Sequence, residues 1–309
     1  MKNSVMTGLA LAATLVAVPA HADDWTGFHV GVGLGGAHGS TDLSTQADVN
    51  GLGELYTYDV DEVATGEQTY FAGNAAAAAN TGKTSFFGTI EGGFDYQMGD
   101  SFVVGAFANY DFASKEDQTV SGGGAWEAGG REGPLNAAET AIDASSPDYY
   151  TYRWDNGASA ISAAARIKDS WALGARAGWL ANPSTLIYVA GGYTEAKINL
   201  DASAELLPSN NSVYYGPYTP SILADAETLT GSVSANTWKD GYFLGGGVET
   251  LLGSNVSAKV EYRYADYGSY SASNGDTFSV YDIDGAVTGG VSADKLRNQS
   301  VRLVLSYRM

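Results

Sequence analysis

The stretch Gly246-Gly-Val-Glu-Thr-Leu-Leu-Gly-Ser-Asn-Val-Ser-Ala-Lys-Val-Glu261 reads as a strand, a tight turn and a second strand. Apolar and polar residues alternate on either side of Gly253-Ser254-Asn255, which marks strands with two unlike faces. Gly, Ser and Asn are the residues that a tight hairpin turn tolerates. The same plan recurs at 92–105 around Gly99-Asp100, and at 177–192 around Asn182-Pro183-Ser184. Working outward, alternation marks eight segments: 25–36, 85–98, 101–113, 170–181, 185–200, 238–252, 256–270 and 298–309. In the last, Val301, Leu303, Leu305 and Tyr307 alternate with Arg302, Val304, Ser306 and Arg308.

Between the hairpins lie four polar segments, 37–84, 114–169, 201–237 and 271–297. Long structureless connections are out of place in a compact soluble domain. A strict alternation of short and long connections is what a membrane barrel shows. The expected fold is therefore all-β, an eight-stranded antiparallel up-and-down transmembrane β-barrel with four long extracellular loops. Both termini are then periplasmic, in the outer membrane of a Gram-negative bacterium. The composition agrees, with 40 Gly, 20 Tyr, 6 Trp and 7 Pro. Cysteine is absent, so no disulfide braces an exported chain, and barrel closure and the membrane must hold it.

At the N-terminus, Lys2 precedes the apolar run 8–18, then Pro19 and Ala20-His21-Ala22. These are the three parts of a secretory signal peptide. The run falls short of the ~20 apolar residues that a spanning helix needs. Residues 1–22 are thus expected to be a signal peptide and 23–309 the barrel, with no peptidoglycan-binding domain beyond the eighth strand. The formal charge is −19, and losing the signal segment with its single charge, Lys2, leaves −20. Such an acidic balance argues against nucleic acid and anionic lipid as ligands. The partners expected are the surrounding outer-membrane lipid and lipopolysaccharide, the barrel-assembly machinery, and host or phage ligands at the loops.

A barrel in lipid turns its apolar face outward. The outward set includes Phe102, Val104, Ala106 and Ala108 of the third segment, and Val256, Ala258, Val260 and Tyr262 of the seventh. Interfacial aromatics are expected at Trp25, Phe94, Tyr96, Trp179, Tyr188 and Tyr307 near the turns. At the loop side they are Tyr110, Phe112, Trp171, Trp238 and Tyr264. The inward charges are read as Glu91, Asp95, Asp111, Arg176, Glu195, Lys197, Glu249, Lys259, Glu261, Arg263, Arg302 and Arg308. That lumen is nearly neutral, so the excess negative charge falls to the loops. Two readings of it stand open. An eight-stranded barrel has an interior about wide enough for side chains, so paired charges plug it. Alternatively, the network rearranges and gates a narrow pore.

Four segments also resemble a known family. Trp25-Thr-Gly-Phe-His-Val-Gly-Val-Gly-Leu-Gly-Gly36 is similar to the opening strand of the small alphaproteobacterial outer-membrane β-barrel proteins. These are the opacity-like, porin-family surface antigens, with haemin-binding members among them. Gly241-Tyr-Phe-Leu-Gly-Gly-Gly-Val-Glu249 and Lys259-Val-Glu-Tyr-Arg-Tyr-Ala-Asp-Tyr-Gly268 resemble the sixth and seventh strands of that family, and Val301–Arg308 its closing strand. The resemblance covers the strands and not the loops. Such barrels usually end in Phe, whereas this chain ends in Met309 with Tyr307 two residues before it.

Chemistry is sparse. Only His29 and His38 remain once the signal segment is removed, and neither lies in a nucleophile motif, so no enzyme is expected. The resemblance implies haemin binding for some members, which needs a His or Tyr at an exposed edge. His38, the run Tyr149-Tyr150-Thr-Tyr152 and the pair Tyr214-Tyr215 are the candidates. The acidic stretches Asp59-Val-Asp-Glu62 and Asp282-Ile-Asp284-Gly285 lack the full spacing of a calcium loop. Gly122-Gly-Gly124 and Gly129-Gly130 read as flexible loop rather than a phosphate cradle. No cofactor or metal is expected. The function expected is a structural and surface-interaction barrel that contributes to envelope integrity and displays acidic loops. The alternative is a narrow porin or a haemin-uptake barrel.

Overall fold

A computed structural model describes residues 25–309 apart from 62, 114–116, 207–228 and 281–282. The expected signal peptide, Glu62, Tyr214-Tyr215 and Asp282 lie outside the described residues. Among the described residues ten strands form: β1 Gly27–Val60, β2 Val63–Met98, β3 Phe102–Ala113, β4 Gln118–Pro134, β5 Tyr150–Asn182, β6 Thr185–Leu206, β7 Leu229–Leu251, β8 Val256–Asp266, β9 Tyr270–Val280 and β10 Ile283–Arg308.

Antiparallel ladders join β1 to β2, β2 to β3, β3 to β5, β5 to β6, β6 to β7, β7 to β8 and β8 to β10. The ladder from β10 back to β1 closes the ring. Every strand at this level therefore has two neighbours and no backbone edge is left over, the condition for a sheet to sit in lipid. The ring has eight walls. Strand β4 prolongs the wall begun by β3, pairing with the same two neighbours, β2 and β5. Strand β9 prolongs β8 and pairs with β10.

The three tight turns fall at 99–101, 183–184 and 252–255. Gly99 takes φ +63° at the first, a left-handed conformation that costs glycine nothing.

Where they are described, the four polar segments are largely strand, which corrects the expectation of long loops from the sequence. The β1–β2 ladder runs on to Val60 opposite Val63, and β6 pairs with β7 as far as Leu206 opposite Leu229. Gly122–Gly124 and Gly129-Gly130 belong to strand β4. The reason is that the alternation continues with its polarity reversed. In β1 the outward residues change from Phe28, Val30, Val32 and Leu34 to Gln46, Asp48 and Asn50. The inward ones change from His29, Gly31 and Gly35 to Leu43, Ala47 and Val49. One end of the barrel is apolar outside, and the other is apolar inside with a polar exterior.

In other walls a dislocation makes the switch. A bulge between Ile167 and Ser170 moves the inward face of β5 from Ile161, Ala163 and Ala165 to Ala172 and Arg176. Strand β10 shifts register opposite Ser40/Asp42, where Lys295 has φ 54°. The β3/β4 and β8/β9 breaks do the same, with Gly268 at φ +68° in the second.

Candidate functional site

At the turn end the interior is closed by Trp25, Val103, Leu180, Leu186 and Leu251, all buried. The Trp25 indole donates to the Pro183 carbonyl at 3.0 Å, and the Arg308 guanidinium lies 4.8 Å over its ring. At the long-hairpin end Leu43, Ile198, Leu200, Ala293 and Leu296 form a second apolar plug. Between the two plugs lie the charges.

Nearest the turn end, Arg176 donates from Nε to Asp95 Oδ1 at 2.8 Å and from Nη2 to Asp95 Oδ2 at 2.5 Å. Its Nη1 reaches Glu249 Oε2 at 2.6 Å. Arg308 bridges the same two carboxylates, 3.0 Å from Asp95 and 3.4 Å from Glu249. Ser257 donates to Glu249 at 2.7 Å, and Lys259 pairs with Glu91. His29 stands between two acids, with Nδ1 3.3 Å from Asp95 and Nε2 3.7 Å from Glu91.

Above this cluster Arg263 binds Glu261 at 2.7 Å and lies 4.1 Å over the Phe243 ring. The Tyr188 hydroxyl donates to the other Glu261 oxygen at 2.8 Å. Arg302 holds Asp111 through two contacts of 3.2 and 3.1 Å, and Asn109 links Asp111 to Arg263. The rings of Phe107 and Phe243 can sit at the axis because Gly174 faces them. A Cβ there would come within 2.5 Å of Phe243 and 3.0 Å of Phe107.

Five carboxylates (Glu91, Asp95, Asp111, Glu249, Glu261) thus meet five cations (Arg176, Lys259, Arg263, Arg302, Arg308), all buried. In so dry a space an uncompensated charge costs several kcal/mol, so the even count is itself a condition of folding. Among the described residues, the paired charges fill the interior between the two apolar ends.

Several expected positions are corrected. Glu195 and Lys197 do not face the lumen. Strand β6 keeps its even residues inward, from Leu186 to Leu200, so both point outside, where the exterior is already polar. Glu195 there accepts from Trp171 at 3.2 Å and from Tyr193 at 2.5 Å. The same parity turns Tyr188 inward, and Trp25 is the turn-end plug, so neither belongs to an outer aromatic band. Phe94, Tyr96, Phe112, Trp179, Trp238 and Tyr307 stand exposed on the outer face, and Tyr110, Trp171 and Tyr264 are half-buried there. His29, Tyr188, Phe107 and Phe243 were not picked out as lumenal. Parity alone would have found His29, which shares its face with Gly31, Gly33 and Gly35, Phe107, which shares its face with Asp111, and Phe243, which shares its face with Glu249.

His38 lies half-buried on β1, its Nδ1 3.1 Å from the Thr84 hydroxyl. Tyr150, with Tyr58, donates to the Glu132 carboxylate on the distal sheet.

A closed antiparallel ring with an apolar outer band and a polar, ion-paired interior defines a transmembrane β-barrel. The chain belongs to the outer membrane protein beta-barrel domain family, which matches residues 8–308. It is 27% identical over 176 residues to the 25 kDa outer-membrane immunogenic protein of Brucella abortus, across 52% of this chain and 75% of that protein. The protein of the same description from Brucella melitensis matches with the same identity and coverage. Among solved structures, outer membrane protein OprG from Pseudomonas aeruginosa is 9% identical with a TM-score of 0.32, covering 94% of this chain and 99% of that one. That likeness is too loose to carry an argument. The chain is an outer-membrane protein.

Proposed function

We propose that this protein is a non-conducting structural barrel that carries stiff acidic β-hairpins clear of the outer membrane as an interaction surface. The observation behind this reading is the lumen, in which five acids and five bases are mutually paired between two apolar plugs. With the lumen balanced, the negative excess of the −20 chain lies on its outer surfaces. The termini and tight turns are periplasmic, and the long hairpins face the exterior. Outer-membrane lipid and lipopolysaccharide surround the apolar band, and the assembly machinery inserts the barrel. Host or phage molecules meet the distal hairpins.

Planar-bilayer recording tests this directly. The pure protein is expected to give no conductance steps, and Arg263→Ala to leave that unchanged. Discrete steps from the wild type would replace the structural reading with a pore. Orientation is tested by thiol labelling in intact cells: Gln46→Cys is expected to react with an impermeant reagent and Ser254→Cys to stay protected.

A further inference from the structure

Where the charged lumen meets the upper apolar plug, a half-open cavity of ≈ 40 Å³ lies in the wall, with Lys83 exposed and Lys168 half-buried along it. At roughly 10–15 Å³ per water, it has room for about three waters or the head of a small oxyanion. Its charged lining is Lys83 of β2, Lys168 at the β5 bulge, Arg302 of β10 and Asp111 of β3. Gln118 and Asn298 add neutral polar groups.

The charge balance here runs against the rest of the molecule. The chain has 35 acidic residues against 16 basic ones, yet this cavity has three cations and one acid. Asp111 is already engaged by the two Nη atoms of Arg302. Arg302 is only 2% exposed, and its Nε has no hydrogen-bond acceptor; the nearest carboxylate oxygen, on Glu261, is 3.6 Å away. The Asn298 carbonyl oxygen is likewise buried without a donor. Neither Lys83 nor Lys168 has an ion-pair partner among the described residues. Asp117, an acid within electrostatic reach of both, is taken by Arg166. A buried guanidinium N–H without an acceptor is an expensive group to leave unmet.

We propose that this cavity binds a phosphate-class oxyanion between Lys83, Lys168 and the unbonded Nε of Arg302. Charge-assisted hydrogen bonds from three cations suit such a group, and with both Nη atoms of Arg302 already engaged by Asp111, Nε is the guanidinium nitrogen left without an acceptor. The site lies at the level of Phe112 and Trp171, where the apolar band ends. The phosphate can therefore belong to a lipid headgroup or arrive from solution.

The test uses the full barrel refolded in zwitterionic detergent and titrated calorimetrically with inorganic phosphate at constant chloride. Saturable binding is expected for the wild type and for Lys239→Gln, and at least a tenfold loss for the Lys83→Gln/Lys168→Gln double variant. Folding of each variant is checked by its heat-modifiable electrophoretic migration. A second arm replaces the detergent with nanodiscs holding either phosphorylated or dephosphorylated lipid A. Binding in this arm alone assigns the phosphate to lipid, and binding in the first arm assigns it to solution. No binding in either arm, or equal affinity in wild type and double variant, would overturn the site.

Discussion

Arg176 grips Asp95 side-on, Nε to Oδ1 at 2.8 Å and Nη2 to Oδ2 at 2.5 Å, with both side chains almost wholly out of solvent. The contact joins β5 to β2 across the lumen, and β3 is the strand between them in the wall. It therefore ties together walls that share no ladder.

Breaking this pair from one side strands a buried charge. Asp95→Asn or Arg176→Met is expected to lower stability by about 3–5 kcal/mol, because Glu249 and Arg308 cannot absorb the imbalance. The double change Asp95→Leu/Arg176→Met is expected to recover part of that loss. Urea unfolding in detergent micelles measures all three, and equal losses for single and double variants would contradict the pairing.

Tyr188 gives a gentler probe of the same interior. Tyr188→Phe removes the donor to Glu261 and leaves Arg263 in place, so a loss of about 1–2 kcal/mol is expected. Trp179→Phe on the exposed outer face is expected to change micellar stability by less than half as much.

Gly174 is a steric requirement. Even Gly174→Ala places a methyl group against the rings of Phe243 and Phe107, and Gly174→Val drives them apart. Assembly of the valine variant is expected to fail, read as loss of the heat-modifiable folded band. Combining it with Phe243→Leu is expected to restore some of that band.

The edge of the apolar band can be located by inserting charge. Leu303→Arg, on the outer face of β10 midway between Tyr307 and Gln299, is expected to cost ~2–4 kcal/mol in lipid, the price of a cation near the bilayer middle. Gln46→Arg, on the polar exterior of β1, is expected to cost almost nothing. Paired unfolding in lipid vesicles reads the difference.

Above the band, Arg166 hydrogen-bonds Asp117 and holds its carboxyl below the usual range. A depressed folded-state value means that the stabilisation is fully present above the unfolded value and fades as pH falls through the folded one. Since the pair is partly exposed, the effect is under about 1 kcal/mol. Arg166→Gln is expected to raise the Asp117 titration midpoint, followed by carboxyl NMR.

Much of this was legible in the chain. Alternation at 256–270 and 298–309, with Gly253-Ser254-Asn255 between two such runs, required two-faced strands joined by tight turns. The number of such runs required eight walls. Glu91, Asp95, Arg176, Glu249 and Lys259 were identifiable as lumenal because each lies among small or polar residues on one parity while the other parity is apolar.

Strand β6 shows where that reasoning stops. Both of its faces are apolar around Tyr188, with Leu186 and Ala190 on one and Ile187 and Val189 on the other, so composition cannot say which side is in. Only the ladders to β5 and β7 fix it, and they turn Tyr188 inward and Glu195 and Lys197 outward. The sequence by itself determined the strands, the turns and the barrel, because these depend on local period and on backbone satisfaction in lipid. The tertiary structure alone decided that most described residues of the polar segments are strand and that bulges at Ile167/Ser170 and opposite Ser40/Asp42 invert the faces. It also decided which acid meets which base. Those features depend on register between residues far apart in the chain, and a one-residue shift in register sends every side chain to the opposite face.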